Sequence, residues 1–141
     1  MIDRNSFILH RYIARFIDIL IAWAMALIIP PVGPLAGLLY ICIADGFNEG
    51  QSPGKRLIGL RVIHRLTLAP ISFKESMIRN IPFAIAYLFF IIPFLGWFLF
   101  IVVGIPILLF ECYFVCEAEQ GMRVGDVMAD TVVVEVVGNN N

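Results

Sequence analysis

Residues 16–44 read FIDILIAWAMALIIPPVGPLAGLLYICIA, an apolar run whose only carboxylate is Asp18 and which is broken by Pro30, Pro31, Gly33 and Pro34. A run this apolar meets the hydropathy criterion for insertion in a bilayer, and a proline cluster at its middle is a stop signal for a helix. Read as a single span, it would place the basic N-terminal residues Arg4, Arg11 and Arg15 and the basic loop of Lys55, Arg56, Arg61, Arg65, Lys74 and Arg79 on opposite sides of the membrane. The positive-inside rule opposes that arrangement, so the run reads as a helical hairpin with both basic regions in the cytoplasm.

A second run, residues 81–110, carries no charge at all and repeats the layout, with Pro93-Phe94-Leu95-Gly96 at its turn. As one straight helix it would measure ~45 Å at ~1.5 Å per residue, too long for a ~30 Å hydrocarbon core without strong tilt. A second hairpin is therefore expected, with Pro82 and Pro106 bending their helices or marking first turns. Neither run has the form of a cleavable signal peptide, which has one short apolar region before a small-residue cleavage site.

Composition agrees. The 141 residues are 60% hydrophobic and 15% charged, more apolar than a soluble domain of this size can bury. The net charge of −1 conceals an asymmetry: nine of the ten Lys and Arg residues precede Asn80, and six of the eleven acids follow Phe110. The expected fold class is an all-α membrane protein with two transmembrane hairpins, about four membrane helices, some short or bent. Its single domain, 1–141, divides into a first hairpin (12–29 and 34–46), a cytoplasmic loop (47–72), a second hairpin (73–92 and 96–116) and a cytoplasmic tail (117–141). Localisation follows as the bacterial inner membrane, multi-pass, with both termini cytoplasmic.

Between the hairpins, Leu57 to Ile63 reads as a strand, and the β-branched run Thr131 to Val137 is its expected partner in a small sheet that protects both edges. The asparagine tail reads as disordered. Ser72-Phe73-Lys74-Glu75 matches a capping box and opens an amphipathic helix with Phe73, Met77, Ile78 and Ile81 toward lipid. Gly50-Gln51-Ser52-Pro53-Gly54-Lys55-Arg56 fails as a phosphate-binding P-loop, because only three residues separate its glycines and Arg56 stands where Ser or Thr is required. It reads instead as a turn presenting Lys55 and Arg56 to anionic headgroups.

Arg15 and Asp18, three residues apart, share a helix face with Arg11 and Ala22 and are placed for an intrahelical ion pair. Arg15 falls near the expected helix start, where the macrodipole disfavours a cation, so a lipid phosphate, Asp18 itself or an acid such as Asp126 must hold it. The competing reading is a snorkelling Arg beside an interfacial Asp. Gly33 and Gly37 form a GxxxG pattern, read first as packing inside the hairpin. Glu111 is either a relay carboxylate or, more commonly for such a position, the solvated end of a helix. Trp23, Trp97 and the twelve phenylalanines read as interface anchors and lipid-facing surface. Cys42, Cys112 and Cys116 lack zinc-site spacing and read as packing residues, so no metal is expected. No catalytic set and no basic-aromatic nucleic-acid stripe is present; an enzyme is not expected, and no cofactor or nucleic-acid partner is implied.

The order of these motifs resembles that of the RDD family of bacterial membrane proteins, named for one arginine and two aspartates. Ala14-Arg15-Phe16-Ile17-Asp18 is similar to its first motif, the block from Gly50 to Val62 to its central signature, Arg79-Asn80 to the arginine before its next apolar region, and Asp126 to Val133 to its closing motif. The resemblance implies Arg15, Asp18 and Asp126 as the functional motif, converging at the cytoplasmic membrane face. Gly54, Lys55, Arg79, Asp130 and Glu111 are secondary candidates, Asp130 being the alternative second aspartate. At least one family member is linked to sodium/proton antiport. Two functions are therefore expected in competition. The first is a cation/proton transport module in which Asp18 exchanges a proton for a cation and Arg15 tunes it; the second is a non-catalytic accessory or scaffold of a larger membrane assembly. The expected partners are the bilayer, anionic lipids, and either further copies of the chain or other membrane proteins.

Overall fold

The computed structural model describes residues 3–28, 30–118 and 121–136. The first helix, α1 (Arg4–Ile28), starts eight residues before the expected Tyr12. Nothing in 4–11 breaks a helix, and the first turn is tied down because Arg4 Nη2 donates to the carbonyls of Cys116, at 2.6 Å, and Ala118, at 3.2 Å. A cation at the C-terminal end of another helix satisfies carbonyls that have no partner within that helix. Arg15 is therefore three turns inside α1, and the argument from an N-terminal macrodipole does not apply to it.

α2 (Gly33–Ile43) follows the prolines, with Pro34 in its first turn where a missing N–H costs nothing. It lies against α1 through the two glycines. A Cβ on Gly33 would stand 2.7 Å from the Ala26 carbonyl oxygen, and one on Gly37 2.7 Å from that of Ala22, so the small-residue pattern serves packing within the chain. A 3₁₀ turn, Ala44–Gly46, ends the element and presents Asp45.

The central block departs from its expected form. Ser52 caps a short helix, α3 (Pro53–Ile58), and Gly59 closes it in the left-handed conformation at φ 78°. Leu57 and Ile58 are thus helical, and β1 runs over Leu60–His64. The expected partner strand is present as β2 (Thr131–Glu135), antiparallel, with Leu60 opposite Glu135 and His64 opposite Thr131. Val137 and the asparagine tail lie outside the described residues. The inner face of this two-stranded sheet, Leu60, Val62 and Val133, packs with Ile71, Phe7 and Ile58 around Ala14 of α1.

α4 (Phe73–Ile91) opens with the expected capping box, Ser72 Oγ accepting from Lys74 N and Glu75 Oε2 accepting from Ser72 N at 2.9 Å. Phe73, Met77 and Ile81 are exposed as expected, and Ile78 is half-buried. After the Pro93-Phe94 turn the chain is helical from Leu95 to Glu117: α5 (Leu95–Leu99), a π segment (Phe100–Gly104) and α6 (Ile105–Glu117). Pro106 accounts for the π segment. It cannot donate to the carbonyl four residues back, and the backbone widens by one residue, with Ile105 N bonding to Phe100 O.

The fold is mostly helical, and among the described residues Leu95–Glu117, 23 residues, is the one helix long and apolar enough to cross a membrane. A last short helix, α7 (Val124–Met128), packs on α4 before β2. Burial runs opposite to that of a soluble domain: Arg79, Asn80, Asp18, Asp45 and Asp126 are among the largest fully buried side chains, while Ile28, Phe94, Phe98 and Ile101 are exposed.

Candidate functional site

The buried face of α1 is Arg11, Ala14, Asp18 and Ala22, spaced three, four and four residues apart, a single helical stripe. At its centre Asp18 binds neutral donors. Oδ2 accepts from Ser52 Oγ at 2.6 Å; Oδ1 accepts from Gly54 N at 2.9 Å and from Tyr40 OH at 3.1 Å. Gly54 lets α3 come this close, since a Cβ there would collide with the Ala14 carbonyl and stand 3.0 Å from Asp18 Oδ1. Asp18 therefore holds the start of α3 against α1, and the expected Arg15–Asp18 ion pair is absent. The carboxylate is saturated by closer donors, and Arg15 Nη2 instead donates to Asn80 Oδ1.

Asp126 forms the second anchor. It accepts from Arg11 Nη2 at 2.6 Å, Arg79 Nη2 at 2.6 Å, Arg123 N at 3.1 Å and Arg123 Nη2 at 3.3 Å. Burial alone would raise this carboxyl, but Arg79, Arg123 and Arg11 outweigh it and hold Asp126 well below the ordinary carboxylate range. Gly125 makes the approach possible, because any Cβ would run into the Arg79 carbonyl. Its N–H donates to Glu111 Oε1 at 3.2 Å, so α7 is fastened to α4 and α6 together.

Asp45 joins the two anchors. It accepts from Lys55 Nζ and from Asn80 Nδ2 at 3.2 Å, and it stands 3.6 Å from Arg79 Nε. Lys55 is pushed down to about 7 by burial first, with Asp45 opposing and the cations Arg79 and Arg15 adding to the fall. A continuous polar chain thus runs from Arg15 through Asn80, Asp45 and Arg79 to Asp126 and Arg11, joining α1, α4, α7 and the 3₁₀ turn.

Several sequence-based expectations change here. Lys55 is buried in this network and does not face headgroups; Arg56 is the exposed one of the two. Glu111 lies in the middle of α6 and not at a solvated helix end; it is buried where α7 packs on α6, and its Oε2 has no hydrogen-bond partner among the described residues. Asp18 and Asp126 do not meet and, among the described residues, share no partner; they are linked through Ser52, Lys55, Asp45 and Arg79 in turn. Asp130 lies apart at the surface, in the left-handed region at φ 51°, with His64 Nε2 3.9 Å away.

Ser52, Tyr40, Asp45, Asn80 and Arg123 were not singled out as site residues. Asp45 had a usable signal as a charge directly after an apolar segment, and Arg123 as the one basic residue after Arg79; Tyr40 and Ser52 had none, since their role depends on a helix docking elsewhere. Among the described residues no three His, Cys, Asp or Glu side chains are grouped to share a metal ion.

Beside the network lies a cavity of about 30 Å³. Arg11, Arg15, Lys55 and Arg123 line it, together with Tyr12, Phe83 and Val115. The Phe83 ring carries both guanidinium groups, that of Arg15 at 4.4 Å and that of Arg123 at 5.2 Å from its centroid.

Compared with known proteins, residues 31–130 match the model of the family described as RDD family. The matched span takes in Asp45, Lys55, Arg79, Glu111 and Asp126 and leaves out Arg11, Arg15 and Asp18. No curated protein and no solved structure matches.

Proposed function

The chain belongs to the membrane-associated RDD family, and from that premise we propose that it is a non-catalytic, multi-pass membrane protein whose Arg–Asp cluster is a structural lock. The observation that carries this reading is the saturation of the aspartates. Asp18 faces three neutral donors, Asp45 faces Lys55, Arg79 and Asn80, and Asp126 accepts from three arginines. A carboxylate that exchanges a proton for a cation must release its partners in each cycle, whereas these hold separate helices and the sheet in one arrangement. The function is that of an accessory or scaffold module presenting a rigid cytoplasmic unit at the inner membrane.

Four membrane segments, near α1, α2, α4 and Leu95–Glu117, agree with the exposed apolar side chains on all of them and with a polar interior that lipid does not reach. α2 at eleven residues is too short to cross alone and reads as a re-entrant or tilted limb. Both basic regions then lie in the cytoplasm.

One observation favours the rival transport reading: Glu111, buried within the apolar helix Leu95–Glu117, with Oε2 unpartnered among the described residues. Purified protein in liposomes enclosing a pH-sensitive dye, challenged with sodium, potassium and lithium, separates the two. The lock reading expects no cation-dependent pH change. An exchange signal abolished in Glu111→Gln would replace it with a proton relay at that carboxylate.

A further inference from the structure

The cavity between α1, α4 and α6 has more cationic groups around it than the network neutralises. The cluster holds the basic groups of Arg11, Arg15, Lys55, Arg79 and Arg123 against the acidic groups of Asp18, Asp45, Glu111 and Asp126. Asp18, Asp45 and Asp126 are already engaged, and Glu111 holds Gly125 N–H through Oε1 and forms no ion pair among the described residues. Arg15 has no ion pair among the described residues, and its recorded hydrogen bond goes to the neutral Asn80. Arg123 Nε is buried without a hydrogen-bond partner, although Arg123 lines the cavity. Two guanidinium groups sharing one aromatic ring repel each other in a medium of low dielectric constant, and the anion beside Arg123, Asp126, is already shared with Arg11 and Arg79.

We propose that this cavity is a binding site for a phosphate-class anion, with Arg15 and Arg123 as its principal ligands and Arg11 and Lys55 completing the charge. Guanidinium forks match the spacing of phosphate oxygens, and the site offers two of them with an ammonium. About 30 Å³ exceeds the room that one water needs. Tyr12, the exposed member of the lining, marks the mouth, and the neighbouring Phe16, Leu109 and Tyr113 are exposed apolar surface. An anionic phospholipid would leave its acyl chains along that surface. The membrane placement proposed above bears only on the lipid as source of the phosphate, because inorganic phosphate presents the same chemistry to the cavity.

The test uses the full chain, purified in neutral detergent and stripped of lipid, with its thermal midpoint followed during addition of phosphatidylglycerol, phosphatidylcholine, inorganic phosphate or sodium chloride. Phosphatidylglycerol at saturation is expected to raise the midpoint by roughly 5 °C, with phosphatidylcholine and chloride giving little. An equal response to inorganic phosphate keeps the site and assigns the free ion as its source. Arg15→Gln is expected to lose the response, Arg15→Lys to keep part of it, and Arg56→Gln, outside the cavity, to keep all of it. Should Arg15→Gln fail to fold, Val115→Phe obstructs the cavity while leaving every charge in place, and it too is expected to abolish the response. A midpoint equally insensitive to phosphatidylglycerol and phosphate in the wild type, or a full response retained in Val115→Phe, overturns the proposal.

Discussion

At the scale of the residue, Asp126 holds the most: three guanidinium groups converge on a side chain with no exposed surface. Removing its charge leaves Arg79, itself fully buried, without its closest ion pair, and an uncompensated buried charge costs roughly 3 to 5 kcal/mol. Asp126→Asn is expected to lower the thermal midpoint in detergent accordingly, and Asp130→Asn to leave it nearly unchanged. A wild-type midpoint in Asp126→Asn would remove the lock. The folded-state value of this carboxyl lies below its ordinary one, so its contribution is complete above about pH 4 and is lost as pH falls below that. Lys55 acts in a different window. Its folded-state value near 7 lies below the ordinary lysine value of 10.5, so the unfolded chain holds more protons between the two and stability rises with pH across that range. Lys55→Met is expected to flatten that rise in a denaturation series from pH 7 to 10.

At the scale of the element, glycines decide which helices can meet. α7 reaches α4 because Gly125 has no Cβ to strike the Arg79 carbonyl, and α3 reaches α1 because Gly54 has none to strike that of Ala14. Gly125→Ala is expected to push α7 off α4 and cost roughly 1 to 3 kcal/mol, a typical overpacking penalty, with part of the Asp126 network lost as well. Thermal melts of Gly125→Ala, Asp126→Asn and the double variant check this: a double loss smaller than the sum is expected, because both changes break one contact. Strict additivity would separate the glycine from the cluster. The capping box at Ser72 was legible because its partners are three residues apart in the chain. Ser52, by contrast, caps α3 and also donates to Asp18, 34 positions earlier, and nothing local in the sequence announces the second role.

At the scale of the whole molecule, the polar network faces inward and the apolar side chains face outward. The proposed multi-pass reading puts the Pro30 to Pro34 and Pro93 to Gly96 turns on the periplasmic side and Lys74 with the β1–β2 sheet on the cytoplasmic side. In a variant lacking Cys42, Cys112 and Cys116, single cysteines at Phe94 and Lys74 are expected to react with an impermeant thiol reagent from opposite faces of sealed vesicles. Labelling of both from one side would remove the second hairpin.

Legible in the chain alone were the apolar segments, the helix breaks at the proline clusters, the Ser72 cap and a strand near Leu57 to Ile63 pairing with the valine-rich run at Thr131, which the fold shifts to Leu60–His64; each rests on local composition or on a period along the chain. The sequence also marked Arg15 and Asp18 as out of place beside lipid-compatible sequence, while Arg79 and Asp126 entered through the family resemblance. Only the tertiary structure decided their partners. Three-residue spacing made Arg15 and Asp18 neighbours on a helix, yet Asp18 is taken by Ser52, Tyr40 and Gly54 and Arg15 by Asn80, all from other segments. A buried charge goes to whichever donors the packing of helices brings within about 3 Å, and that packing is set by missing Cβ atoms and by distant contacts rather than by spacing along one helix.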